Sequence, residues 1–203
     1  MEGRAGRKLL TLTLTGMLLL TGCAGRGENP ESRVQAVQTA YGKLERFTAQ
    51  AEVTADYGQR VYGYSVALKG DLESGTMTVT QPESIADTVL GWSDGKTELE
   101  YGGAVLDTGA LSSSGLSPAD AMPTVLTACR SGEVIDCCTD TLNEAEMLYA
   151  TLETGDKTNC RVACWFQPDS YALARAEISE SGQVIITLQF DEFYFQTTQA
   201  EAK

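Results

Sequence analysis

The stretch Thr48-Ala-Gln-Ala-Glu-Val-Thr-Ala-Asp-Tyr57, followed after Gly58 by Tyr62-Gly-Tyr-Ser-Val-Ala-Leu-Lys69, decides the fold class. In the first run Ala49, Ala51, Val53, Ala55 and Tyr57 alternate with Gln50, Glu52, Thr54 and Asp56. Side chains along a strand point to opposite faces in turn, so this pattern gives one apolar and one polar face. The second run repeats it, with Tyr62, Tyr64, Val66 and Leu68 on one side and Gly63, Ser65 and Lys69 on the other. Two alternating runs around a glycine read as an antiparallel hairpin.

Working outward, short strands continue through Met77 and Val79, Leu90 and Trp92, Leu99 and Tyr101, and Val105 to Leu106. Glu73-Ser-Gly75, Ser93-Asp-Gly95 and Tyr101-Gly-Gly103 supply the turns between them. Upstream the period changes: Val34, Val37, Tyr41 and Leu44 recur every three or four residues, predicting a helix over 32–46 with Ser32 as its cap. In the middle, Leu111 to Leu116 reads as a loop, and Ser117-Pro-Ala-Asp120 opens a second helix carrying Met122, Val125, Leu126 and Cys129. Strands resume at Val134 to Cys138, Met147 to Leu152, Arg161 to Gln167, Ala172 to Ile178 and Val184 to Phe190, and Phe193, Tyr194 and Phe195 lie near the end. The pattern predicts a mainly β (α+β) chain, an antiparallel meander whose inserted helix covers an open face or end of the sheet.

The first residues read differently. Arg4, Arg7 and Lys8 precede an apolar run from Leu9 to Leu20, and Leu20-Thr-Gly-Cys23 follows. A basic end, a short apolar core and small residues before a cut site are the parts of a secretory signal peptide. The run of about 12 residues is too short for a span that needs roughly 20. Leu-Thr-Gly-Cys resembles the bacterial lipobox, which implies lipidation at Cys23 and anchoring in a membrane through it. A single acyl chain binds marginally and two hold stably. The expected organisation is a signal peptide at 1–22, a lipidated Cys and flexible tether at 23–32, and one β domain at 33–203. The expected location is extracytoplasmic, on the outer face of the cytoplasmic membrane or the periplasmic side of an envelope membrane.

Composition narrows the chemistry. Residues 1–22 carry three basic residues and one acidic one, so the remainder has 12 Lys and Arg against 27 Asp and Glu, a formal charge of −15. Such a surface repels nucleic acid. With no histidine in the chain, the usual general base and the commonest metal ligand are missing, as is every Ser-His or Cys-His pair. G-x-S-x-G, Walker A and HExxH patterns do not occur, and the expectation is that this is not an enzyme and takes no cofactor. Beyond Cys23 stand Cys129, Cys137, Cys138, Cys160 and Cys164. An odd number cannot all pair in one monomer. The spacings CC and CxxxC suit a four-Cys zinc site poorly, so no metal is expected. One disulfide with the other thiols buried is the expectation; a bridge from Cys137 or Cys138 to Cys160 or Cys164 is feasible, and the sequence leaves the pairing open.

Two stretches carry a wider likeness. Gly75-Thr-Met-Thr-Val-Thr-Gln-Pro82 is a strand ending in Pro, and Trp92-Ser-Asp-Gly-Lys-Thr-Glu-Leu-Glu-Tyr101 is a hairpin about ten residues later. With Leu173 to Ile178 and Val184 to Phe190 as closing strands, residues 33–203 resemble the LolA/LolB-like superfamily, in its membrane-anchored lipoprotein form. That resemblance implies a curved antiparallel sheet forming an unclosed barrel, with an N-terminal helix and an inserted helix covering the concave side. It also implies an interior that receives lipid or the acyl part of a lipoprotein. The family's lid-closing Arg cannot be carried over, since neither Arg60 nor Arg175 matches a motif. The residues expected on the apolar ligand-binding face are Tyr62, Tyr64, Val66, Met77, Leu90, Trp92, Leu99 and Tyr101. The alternative expectation is a module that recognises an envelope protein with the same sheet and transfers no lipid.

Overall fold

The computed structural model describes residues 29–93, 96–107, 117–155 and 160–198. The expected signal peptide, Cys23, most of the expected tether and the expected Leu111–Leu116 loop lie outside the described residues. Helix α1 spans Pro30–Gly42. Asn29 caps it, its Oδ1 accepting from the Glu31 amide at 3.3 Å, and Pro30 takes the first position, where a missing N–H costs nothing. This corrects the expected start at Ser32, whose hydroxyl instead donates to Asn29 O. The expected end is corrected too: Leu44 pairs with Thr197 as the first residue of strand β1. An apolar residue three after Tyr41 suits either period, and here the long partner strand decides.

Among the described residues eleven strands follow, β1 Leu44–Asp56, β2 Val61–Gly70, β3 Ser74–Gln81, β4 Val89–Ser93, β5 Lys96–Tyr101, β6 Ala104–Asp107, β7 Glu133–Leu142, β8 Ala145–Glu153, β9 Arg161–Phe166, β10 Leu173–Glu180 and β11 Gln183–Thr197. A single 3₁₀ turn, Glu83–Ile85, links β3 to β4, and helix α2, Pro118–Ser131, lies between β6 and β7. Every pairing is antiparallel, in one sheet ordered β6-β5-β4-β3-β2-β1-β11-β10-β9-β8-β7. Two meanders are thus joined at the centre by β1 against β11. Strands β6 and β7 are the two ends of the sheet, and no ladder joins them among the described residues, so the barrel stays open. They are also consecutive in sequence. The chain therefore has to cross from one edge to the other, and α2 makes that crossing over the buried face, packed against α1, β4, β8 and β10.

That face is built from alternate residues: Phe47, Ala49, Ala51, Val53 and Ala55 on β1, Val66 and Leu68 on β2, Met77 and Val79 on β3, and Val162, Cys164 and Phe166 on β9 are all buried. β11 holds the same face along its whole length through a bulge. Strict alternation after Phe190 would turn Glu192 and Tyr194 inward. The register instead jumps between Gln50–Glu192 and Ala51–Phe190, with Asp191 as the extra residue. Phe193 is thereby buried beside Phe190, while Asp191, Glu192 and Tyr194 face out.

A second local device crosses four strands. Phe47 pairs with Gly70, Gly70 with Gly75, and Gly75 with Trp92. Two glycines side by side leave a slot, and the Trp92 indole lies in it, its ring centroid 6.4 Å from that of Phe47 at 17°. Phe47 stacks in turn on Phe193 at 5.8 Å and 7°. An aromatic row thus ties the first meander to the second.

Candidate apolar cavity beneath the inserted helix

Between β1–β5 and the first turn of α2 lies a cavity of about 300 Å³, lined by Val53, Tyr64, Val66, Met77, Val79, Ile85, Thr88, Leu90, Leu99, Pro118 and Ala119. Its size is at the lower end of ligand pockets, which run from about 300 to 1,000 Å³ and are mostly apolar. Cross-strand register explains the wall: Val53 pairs with Tyr64, Val66 with Val79, Met77 with Leu90, and Leu90 with Leu99. Thr88 adds little polarity, since its hydroxyl donates to Ile85 O at 2.6 Å. Burial, and then the neighbouring Tyr62, raises the Tyr64 phenol above its ordinary value, so it stays neutral. The wall carries no charge.

α2 brings its N-terminus over this wall. Pro118 occupies the first helical position, and the Ser117 hydroxyl donates to Asp120 Oδ2 at 2.7 Å. Ser117 therefore stands at the cap position without capping a backbone amide; it holds the Asp120 carboxylate at the positive end of the helix. Thr97 of β5 also donates to Asp120, at 3.4 Å, which fastens the start of α2 to the sheet beside the cavity.

Of the eight residues expected on the apolar face, Tyr64, Val66, Met77, Leu90 and Leu99 line this cavity. Trp92 faces the same way but lies in the glycine slot, outside the cavity wall, and its indole N–H has no hydrogen-bond partner among the described residues. Tyr62 and Tyr101 sit beyond the covered area, 38% and 52% exposed. Both share the parity of the cavity-lining residues on their strands, but alternation says nothing of how far a helix reaches along the sheet. Val53 and Val79 share the parity of chosen residues and could have been found. Ile85, Pro118 and Ala119 arrive from segments whose docking no period reveals.

A second concavity, about 630 Å³, lies where β11 outlasts β10, between the 167–174 segment and Phe190–Thr197. Asp191 and Glu192 make it acidic as well as aromatic.

Comparison with known proteins then bears on the fold. No protein-family model and no curated protein matches the sequence. Among solved structures, an outer membrane lipoprotein-sorting protein domain from Vibrio parahaemolyticus superposes with a TM-score of 0.50 at 14% identity, over 85% of this chain and 96% of that one. The fold is LolA-like. A LolA superfamily protein from Nitrosomonas europaea (TM-score 0.45, 8% identity, 82% of this chain, 94% of that one) is also similar. So is the lipoprotein LppX of Mycobacterium tuberculosis (0.46, 12%, 81% and 94%). Identities this low speak to the fold and not to activity.

In this LolA-like sheet neither candidate Arg reaches the cavity. Arg60 is exposed in the β1–β2 turn. Arg175 lies on the opposite face of β10, donating to Glu177 Oε1 at 2.9 Å and Gln189 Oε1 at 3.3 Å, with its guanidinium 5.7 Å from the Trp165 ring centroid. The cysteine bridge that the sequence made feasible is not favoured by the sheet. Cys137 pairs with Ala150 and Ala150 with Cys164, so β8 separates β7 from β9 by two strand spacings, roughly 9.5 Å. No side chain bridges that gap to a disulfide. Cys138 points to solvent, and Cys160 lies one residue before β9. The LolA-like fold instead brings Cys129 of α2 to Cys164 of β9, Sγ to Sγ 3.9 Å.

Proposed function

We propose that this domain binds a lipid, or the acyl part of a lipoprotein, in the cavity between β1–β5 and α2. The observation that carries the reading is the uncharged wall: eleven residues from five strands, the β3–β4 link and α2 line about 300 Å³ without a single ionisable group other than a neutral phenol. Each methylene buried there contributes about 0.8 kcal/mol, and Met77 adapts to irregular chains. The cavity takes part of an acyl chain at its present size. The reading includes Cys23 as a lipid anchor outside the cytoplasm. An anchored binder acts as a receiver or local handler, not a long-range shuttle. Nothing in the wall suits bond-making chemistry, and the domain is read as non-catalytic.

Native mass spectrometry of the gently extracted full chain tests this. A bound mass in the lipid range is expected, lost in Leu99→Lys, whose long side chain puts an ammonium at a half-buried position of the wall. A bare mass, unchanged by added lipid, would sink the lipid reading.

One observation favours the second reading, recognition of an envelope protein. Tyr57, Val61, Tyr62 and Tyr101 are exposed, and the meander places the β1–β2 and β5–β6 turns at the same end of the sheet. Cross-linking to a partner that survives Leu99→Lys but not Tyr62→Ser with Tyr101→Ser would transfer the assignment to that rim.

A further inference from the structure

Of the three buried thiols among the described residues, Cys129, Cys160 and Cys164, two lie side by side, and acyl-chain binding gives them no task. Cys129, near the end of α2, and Cys164, on the inner face of β9, are both fully buried, with their sulfurs 3.9 Å apart. α2 is the crossing from one sheet edge to the other, and its first turn roofs the cavity through Pro118 and Ala119. We propose that Cys129 and Cys164 form a disulfide that staples α2 to β9 and fixes the roof of the cavity. The inference rests on the proposed location outside the cytoplasm, where disulfides form and persist.

A disulfide is about 2.05 Å long, so the two sulfurs have to approach by about 1.9 Å, a shift shared between side chains already in contact. Pairing of Cys137 or Cys138 with Cys164 is disfavoured by the sheet itself: β8 stands between Cys137 and Cys164, and Cys138 alternates to the outer face. The oxidant is a disulfide, carried by a small molecule or by an exchange catalyst. One cysteine thiolate attacks it and releases one thiol, leaving a mixed disulfide. The second thiolate attacks that sulfur and releases the other thiol. Two electrons and two protons leave the cysteines and end on the two released thiols.

Timing follows from burial. Burial, and then the hydrogen bond with Cys164, which favours the protonated thiol, pushes Cys129 well above its ordinary value, and exchange needs thiolate. The bond therefore forms during folding, before α2 seats, and is afterwards closed to soluble reductants. The consequence for binding is a cavity whose sheet wall can breathe while the last turns of its roof helix are held in place.

The test needs no variant. The full chain, reduced and unfolded, is refolded in mild detergent with oxidised and reduced glutathione, alkylated, digested and mapped by mass. The expected result is one linked peptide pair carrying Cys129 and Cys164, absent after reduction, with Cys137 and Cys138 alkylated. The same link is expected in chain recovered from cells that export it, alkylated before any reductant. Alkylated Cys129 and Cys164 in either preparation, or a link from either to Cys160, would overturn the proposal. Because the map is read without lipid, it decides the matter even where lipid binding fails.

Discussion

Gly75→Ala tests whether the glycine slot is a packing device. A Cβ at Gly75 would stand 2.2 Å from Cζ2 of Trp92 and 2.7 Å from Cε2, well inside contact distance of a rigid ring. The indole has to leave. Trp92 is 6% exposed, and a buried aromatic removes about 150–250 Å² from water. At about 25 cal/mol per Å², exposing half of that costs about 2–3 kcal/mol, and losing the stack on Phe47 adds about 0.5–1.5 kcal/mol. Against this, replacing Gly by Ala restricts the unfolded chain and returns about 0.4–1 kcal/mol. The net expectation is a loss of about 2–3 kcal/mol. With a urea dependence of about 1–3 kcal/mol per molar, the midpoint falls by roughly 1–2 M. The chain has only Trp92 and Trp165, so in a Trp165→Phe background the emission of Trp92 alone should also move to the red. Gly91→Ala is the control: its Cβ would meet nothing nearer than Gly75 O at 3.9 Å. A Gly75→Ala protein as stable as the Gly91→Ala one, with unshifted emission, would refute the slot.

Three further outcomes are expected. Ala119→Trp, placed on the roof of the cavity, should displace bound lipid in native mass spectra at an overpacking cost of about 1–3 kcal/mol; retained lipid would show that the ligand lies elsewhere. Tyr41 is fully buried and donates to Tyr171 O at 3.1 Å, and burial raises its phenol well above the ordinary value. The unfolded chain therefore ionises first, so the stability from neutral Tyr41 is complete below about pH 10 and falls by about 1.4 kcal/mol per pH unit above it. Tyr41→Phe should lose about 1–2 kcal/mol at neutral pH through the orphaned carbonyl, and its alkaline slope in urea titrations should be shallower by that one group. Arg175→Ala should leave lipid occupancy unchanged and cost no more than about 1.5 kcal/mol, since its partners all lie on the opposite face of the sheet; a change in occupancy would revive a lid role for Arg175.

Much of the sheet was legible because its apolar residues keep a period of two from Ala49 to Ile178. Where two periods coincide, sequence could not choose: Leu44 fits a helix after Tyr41 and a strand before Phe47. The bulge at Asp191 was hidden for a related reason, because one inserted residue makes Phe190 and Phe193 look out of phase. Five cavity residues followed from parity. The rest of the wall depends on where α2 lies, and the amphipathic pattern of Met122, Val125 and Leu126 tells which side is buried but not against which strands. Cys129 beside Cys164 was missed for that same reason, since strand neighbours can be guessed from order and helix-to-sheet contacts cannot.

The pairing of β1 with β11 sets a clock on folding. Without Gln183–Thr197, β1–β6 and β7–β10 share no ladder, so the two half-sheets have nothing to align them. A hydrogen bond from Thr198 to Glu45 spans 153 residues of chain, and contacts of such sequence separation fold slowly because the loop entropy must be overcome first. Translation, at about 5–20 residues per second, supplies the joining strand after the ten it has to align. The order carries a delay: the two half-sheets stay unaligned, and the sheet cannot close, until β11 has been made.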